Sequence, residues 1–344
     1  MPPLTSTGDI SPRTAGYVVA DLLKRGQPHI VVSRWGQNKP IPRGSGKIIR
    51  FRGYEPLDNN PKVLIEGVTP AASKPTYRDV DAELEQYGDY IEITDVLADT
   101  HEDPLWSEFS DILSEQSAIM LERVVINKLM AGTNVMYAGE TGGVLATSRD
   151  GVNMPLTLTL QRRATRALKR QLARKTQEMI SASPNFGTTP VAPSYVAFVH
   201  TDLESDIRNM PGFRPPEEYG SRNDIPGEIG KVEDVRYVGT TLMDIFLSAG
   251  AAPAAGTPVE SDDGACADVY PILICGKDAF GVTPFAAQRG RGNSPVGIMA
   301  LQPNVPRGGD PLGQRGSLGW KAYRTAEILY DLWMVRLEVA VSRL

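Results

Sequence analysis

The sequence predicts an α+β fold, on three observations. Residues 104–130 carry apolar side chains at helical spacing with no internal Gly or Pro, whereas residues 77–94 and the C-terminal residues 333–341 alternate with the period of a strand. Between residues 47 and 94 two strand-like segments are joined by some 25 mostly polar residues, a hairpin too long and too polar to bury itself. Long β segments, two helices and a protruding hairpin make a mixed pattern, and no internal repeat is visible.

In order along the chain, PRTAGYVVADLLKRG (12–26) reads as a short helix opened by a proline and closed by Gly26. RWGQNKPIPRGSG (34–46) is too rich in Gly and Pro for regular structure and reads as an extended arm. Strand character follows at Lys47–Phe51 and again from Tyr77 to Thr94. There Val80, Ala82 and Leu84 share one face while Ile91 and Ile93 take the other parity, which predicts a bulge at Tyr87–Gly88. The helix over 104–130 has Leu105, Phe109, Ile112, Leu113, Ile119, Met120, Val124 and Leu129 on its periodic positions and a length of about 40 Å. A second helix is expected over 160–180. SYVAFVH (194–200) is apolar on both faces, as a buried strand is. It runs into a Thr-x-x-Glu capping box, Thr201 to Glu204, opening a short helix. Residues 248–264 form a low-complexity surface loop. Trp333, Val335, Leu337, Val339 and Val341 alternate with polar or small residues as a final strand.

Composition narrows the function classes. A formal charge of −5 argues against a dedicated nucleic-acid binder while leaving room for one basic face. No apolar run reaches the ~20 residues of a membrane-spanning helix, and the start MPPLTSTGDISPR lacks the pattern of a secretory signal. Cys266 and Cys275 match no zinc motif and read as two reduced thiols, with a disulfide as the alternative.

Chemistry-bearing residues concentrate in DVLADTHED (95–103). A metal or acid–base site would use Asp95, Asp99, His101 and Glu102, as in a soluble metal-dependent enzyme. A helix start explains the same residues, because carboxylates complement the N-terminal dipole and Asp103 followed by Pro104 suits an N-cap and first turn. Three histidines far apart in the chain give a metal little to bind, so the stretch reads as a helix start. PRGSGKI departs from the phosphate-loop pattern at Ile41 and Ile48, and no nucleophile elbow or zincin motif occurs. The expectation is a protein with no catalytic residues, metal or cofactor. Two charge patterns remain. Arg162, Arg166, Arg170 and Arg174 recur every four residues opposite Leu160, Ala164, Leu168 and Leu172. That row is either a solvated face or a contact for phosphate or for an acidic patch on a neighbouring subunit. The hairpin carries Arg50, Arg52, Lys62, Glu66, Lys74 and Arg78, and a charged arm without a core of its own is expected to gain stability by lying on something else.

With these elements in place, ordered stretches resemble the HK97-like major capsid proteins of tailed phages, most closely the N4-type family. They are GKIIRFRGYEPL (46–57), LIEGVTP (64–70), LEQYGDYIEITDVLADTHEDP (84–104), KLMAGTNVMYA (128–138), DLESDIRNMPGF (202–213), GEIGKVEDVRYV (227–238), YPILICGKDAFG (270–281) and DPLGQRGSLGWK (310–321). The resemblance implies an N-terminal arm (1–46), an extended E-loop hairpin (47–90), a peripheral domain with its spine helix (91–154 and 306–344) and an axial domain (155–305). It also implies self-assembly into hexamers and pentamers of an icosahedral virion shell around double-stranded DNA. The implied partners are a portal protein and possible scaffolding and decoration proteins, with no membrane. An encapsulin-like nanocompartment shares the architecture and is the alternative shell.

Overall fold

The computed structural model describes residues 30–41, 46–55, 57–58, 60–64, 66–67, 69, 72–100, 105–141, 144–176, 192–218, 225, 227–253, 258–284, 296–306 and 309–343. The expected helix over 12–26 and the cap at Asp103 and Pro104 lie outside these residues. Four α-helices occur among the described residues: α1 (Asp95–Thr100), α2 (Leu105–Met130), α3 (Leu158–Arg170) and α4 (Glu204–Arg208).

Helix α2 has 26 residues, about 39 Å at 1.5 Å per residue. Its buried stripe differs from the apolar rows legible in the sequence. Leu113, Leu121, Val125, Ile126 and Leu129 are buried, but so are Ser110, Ser114, Ser117 and Glu122, while Ile112 is exposed. Small serines let the sheet approach, and the Ser110 and Ser117 hydroxyls donate to the carbonyls of Ser107 and Ser114. Exposed Ile112 and half-buried Ile119, Met120 and Val124 line an open groove along the helix.

The helix rests on a five-stranded sheet centred on Arg315–Ile328. That strand pairs antiparallel with Glu85–Thr94 along one edge, and with Val296–Leu301 and Phe280–Pro284 along the other. Gln37–Asn38 extends the sheet in parallel, so part of the expected irregular arm is strand. Leu318, Trp320 and Ala322 face α2 and bury Leu113 and Leu121. The ladder to Glu85–Thr94 is unbroken from Thr94↔Arg315 to Glu85↔Arg324, so the expected bulge at Tyr87–Gly88 is absent. The parity change is real but lies at Leu84. Tyr77–Glu83 pairs with Ile48–Tyr54 as the hairpin, and after Leu84 the chain changes partner. Gly88 serves closeness instead: a Cβ there would meet the Trp320 carbonyl at 2.6 Å.

A seven-stranded sheet runs in the order Val135–Tyr137, Met334–Val339, Tyr270–Cys275, Tyr195–His200, Val235–Thr240, Glu228–Val232, Phe213–Arg214. The central strands are buried on both faces. One face packs Tyr195, Ala197, Val199 and Tyr237 against Leu160, Ala164 and Leu168 of α3. The other packs Val196, Phe198, Leu273 and Cys275 against Val125, Ile126 and Leu129 of α2, making the second half of that helix the joint between the two sheets. The final strand therefore sits in this sheet, while Phe280–Pro284 and Val296–Leu301 sit in the other. Strand pairs thus join residues 270–301 to residues 315–339.

Two local expectations are corrected. Helix α3 ends at Arg170, not near 180, because Leu172 adopts a φ of 54° and turns the chain. Leu172 is 77% exposed, Ala173 takes its place in the core, and Arg174 lies beyond the helix. The capping box from Thr201 to Glu204 does not form. Residues Thr201–Leu203 make a 3₁₀ turn whose cap is His200, Nδ1 accepting from the Asp202 N–H, and Glu204 pairs with Arg208 one turn on. The loop around 248–264 is held down: Ala251 donates to the Val152 carbonyl and Glu260 to that of Val341, over a small core of Val152, Val259, Ala267, Val269 and Ala340. Cys266 and Cys275 are free thiols, and burial pushes the Cys275 thiol up.

Candidate functional site

The acidic stretch does not assemble a site among the described residues. Residues 95–100 form α1 directly after the strand, with Thr94 accepting from the Leu97 N–H and Asp95 from the Val96 N–H. Asp95 thus opens a helix of its own rather than leading into the long one. His101, Glu102, Asp103 and Pro104 lie outside the described residues. Among the described residues no group of three His, Cys, Asp or Glu is placed to hold a metal ion.

The hairpin is a two-stranded ribbon with register from Ile48↔Glu83 to Tyr54↔Tyr77. Its base is fixed by Phe51, Ala82 and Leu84, all buried. Phe51 lies over Gly281, where a Cβ would stand 2.8 Å from the ring. Past Tyr54 the chain leaves the body: Tyr54, Leu57, Val63, Leu64 and Tyr77 are exposed, Val63 at 91%. Of the hairpin residues singled out in the sequence, Arg50 and Arg52 already face Asp81 and Asp79 across the ribbon in bidentate pairs. Hydrogen bonds from these arginines hold both carboxylates below their usual range. Arg52 also lies 4.4 Å above the Tyr77 ring, and Arg78 5.9 Å from that of Tyr330. Lys62 donates to the Ser73 hydroxyl at 3.0 Å, and Glu66 and Lys74 are exposed. The ribbon thus satisfies its inner charges itself and presents apolar side chains with Lys62, Glu66 and Lys74 at its far end.

The arginine row of α3 is divided by the fold. Arg162 is bidentate on Glu233, and Lys169 and Lys175 both reach Asp234. These acids sit in the tight turn between Glu228–Val232 and Val235–Thr240, where Glu233 has a φ of 48°. The Arg162 hydrogen bond lowers the Glu233 pKa; burial raises that of Asp234, but hydrogen bonds from the two lysines outweigh it and hold it low. Arg166, Arg170 and Arg174 are exposed, with no ion pair among the described residues.

Sequence reasoning missed the buried charges. Glu338, fully buried, takes a bidentate pair from Arg149 at 2.7 and 2.8 Å, with Arg336 3.1 Å away. Arg236 and Glu228 form a second buried bidentate pair. Glu122 accepts from the Val31, Val32 and Ser33 N–H groups and the Ser33 hydroxyl, tying the entering chain to α2. A signal for it existed: Val125, Ile126 and Leu129 follow at i+3, i+4 and i+7, which puts Glu122 on the buried face.

Lys231 is buried too, its Nζ donating to the Ala192 carbonyl at 2.8 Å. Desolvation lowers its pKa to about 8, helped by Lys175, Arg236 and Arg214 and opposed by Asp234. An unfolded lysine keeps its proton to about 10.4, so from pH 8 upward the unfolded chain holds more protons and stability rises relative to a neutral residue here. Lys231→Met is expected to be the more stable protein near pH 7, by on the order of 1–3 kcal/mol, with the gap closing toward pH 10. Urea midpoints of both proteins across that range check this; parallel curves would refute it.

A sequence profile of the phage capsid protein family matches residues 77–331. No curated protein sequence matches the chain. Among solved structures, the chain is similar to the capsid of Ralstonia phage GP4 at 11% identity and a TM-score of 0.65, over 92% of this chain and 91% of that one. It is similar to the capsid of Cyanophage P-SCSP1u at 12% identity and 0.54, over 90% and 87%. It is also similar to the head structure of Helicobacter pylori bacteriophage KHP40 at 11% identity and 0.54, over 89% and 87%. At such identities the likeness establishes the fold, and the profile, covering most of the chain, establishes the family. The mixed helix and sheet fold is thus that of an HK97-like capsid subunit, and the chain belongs to the phage capsid protein family as a structural major capsid protein.

Proposed function

We propose that this chain is the repeating subunit of an icosahedral shell, built as hexamers and pentamers, that encloses the packaged double-stranded DNA of a tailed phage of the N4 type. The observation that carries the reading is the hairpin, whose apolar tip side chains, Val63 and Leu64 foremost, have nothing of their own chain to cover them among the described residues. A ribbon of this length that buries only its base gains stability by lying on another copy. In this reading Ile48–Tyr54 with Tyr77–Glu83 is the E-loop and α2 the spine helix. The five-stranded sheet belongs to the peripheral domain, and the seven-stranded sheet with α3 to the axial domain. The chain has no catalytic role. It assembles in the host cytoplasm, with a portal protein and possible scaffolding and decoration proteins as partners.

The purified protein, passed through size exclusion and viewed by negative-stain microscopy, is expected to form closed shells or rings of five or six subunits. A discrete monomer or dimer at every concentration would overturn the reading. Particles from lysed host cells are expected to contain nuclease-protected duplex DNA. Protein cargo in its place would make the shell a nanocompartment.

A further inference from the structure

We propose that Arg166, Arg170 and Arg174 form a docking strip for the phosphate backbone of duplex DNA, an inference that rests on the shell function proposed above. Residues 162–175 hold seven cations and no carboxylate in a chain whose formal charge is −5. The fold matches three of the seven with Glu233 and Asp234 and leaves the strip exposed. On the helix, successive members of the row stand about 6 Å apart along the axis and turn by about 40°. Arg166 and Arg170 are thus side by side, and unlike an alternating charge pattern they repel each other. Beyond the helix, Lys277 donates its N–H to the Arg174 carbonyl at 2.9 Å and continues the basic surface, with Asp278 after it.

A purely structural role covers one member only. Arg170 at the helix C-terminus complements the dipole, but Arg166 lies a turn earlier and Arg174 outside the helix. A protein partner fits the surface less well than a polyanion. Protein interfaces carry an apolar core depleted of charge, and here the exposed apolar neighbour is Leu172. Guanidinium groups pair bidentately with phosphate and need no apolar contact. Such contacts read no bases, so every sequence is accepted.

The test is fluorescence anisotropy of the full-length protein with a short duplex of arbitrary sequence, from roughly 50 to 200 mM salt. Compared with wild type, the triple variant Arg166→Gln, Arg170→Gln, Arg174→Gln is expected to bind at least ~10-fold more weakly at the low-salt end. The slope of log affinity against log salt should fall by about 2–3. Arg162→Gln, whose charge already faces Glu233, is expected to change that slope by less than about 1. An unchanged slope in the triple variant, or no salt-dependent binding by wild type, overturns the inference. So does loss of assembly with duplex binding retained, which would assign the strip to an acidic face of another subunit. Microscopy of the same samples keeps the two readings apart: wild-type shells with an inert strip defeat only this inference, whereas absence of shells from both proteins defeats the shell function.

Discussion

Glu122→Ala is expected to destabilise the protein by about 3–5 kcal/mol, the range for removing one partner from a buried charged network. The Glu122 side chain is 1% exposed and accepts from three successive backbone N–H groups at the start of the 3₁₀ turn Val32–Trp35, and from the Ser33 hydroxyl. Alanine would strand those donors in the core, where each unpaired group costs about 1–3 kcal/mol. A second group would lose its counter-charge. Arg324 is half-buried, and desolvation lowers its pKa while the Glu122 charge pulls the other way. Its Nε has no hydrogen-bond partner among the described residues, so that charge is the compensation it has. Glu122→Gln keeps an acceptor oxygen but no charge, and its loss should be smaller. Urea unfolding measures both, and limited proteolysis should show earlier cleavage ahead of residue 31 in the alanine variant. A loss below about 1 kcal/mol would mean that the entering chain is held by its apolar contacts alone.

Shortening residues 58–76 to a tight turn is expected to abolish shell formation while leaving the subunit folded. The ribbon's hydrogen-bonded register ends at Tyr54↔Tyr77, and its packed residues, Phe51 and Ala82, are all at the base. Removing the tip therefore takes nothing from either core, and thermal unfolding should change by no more than about 1 kcal/mol, the scale of a surface change. The effect should fall on association, because exposed Val63 and Leu64 and the charges of Lys62, Glu66 and Lys74 leave together. Size exclusion would show the outcome as loss of the void-volume peak. Normal shells from the shortened protein would show that the hairpin ties no subunits together. Arg50→Gln and Arg52→Gln make a useful contrast: their charges are spent on Asp81 and Asp79 within the ribbon, so assembly should persist.

What could be read from the sequence is what repeats locally. The 26-residue helix, the doubly buried SYVAFVH strand and the hairpin each follow from residues close in the chain, because helical and strand periods are local properties. The arginine spacing and the exposed ribbon were visible for the same reason, and so was a change of parity, although the sequence placed it at Tyr87–Gly88 rather than at Leu84. Its cause was not, because alternation tells which face is buried but not which strand lies beside it. Only the tertiary structure decided that Met334–Val339 joins Tyr270–Cys275 rather than the five-stranded sheet. It alone placed Glu233, 71 residues away, against Arg162, and ended α3 at a left-handed Leu172 so that Arg174 leaves the helix. Each of these rests on contacts between residues distant in the chain, whose free energy overrides local propensity without leaving a periodic trace in the sequence.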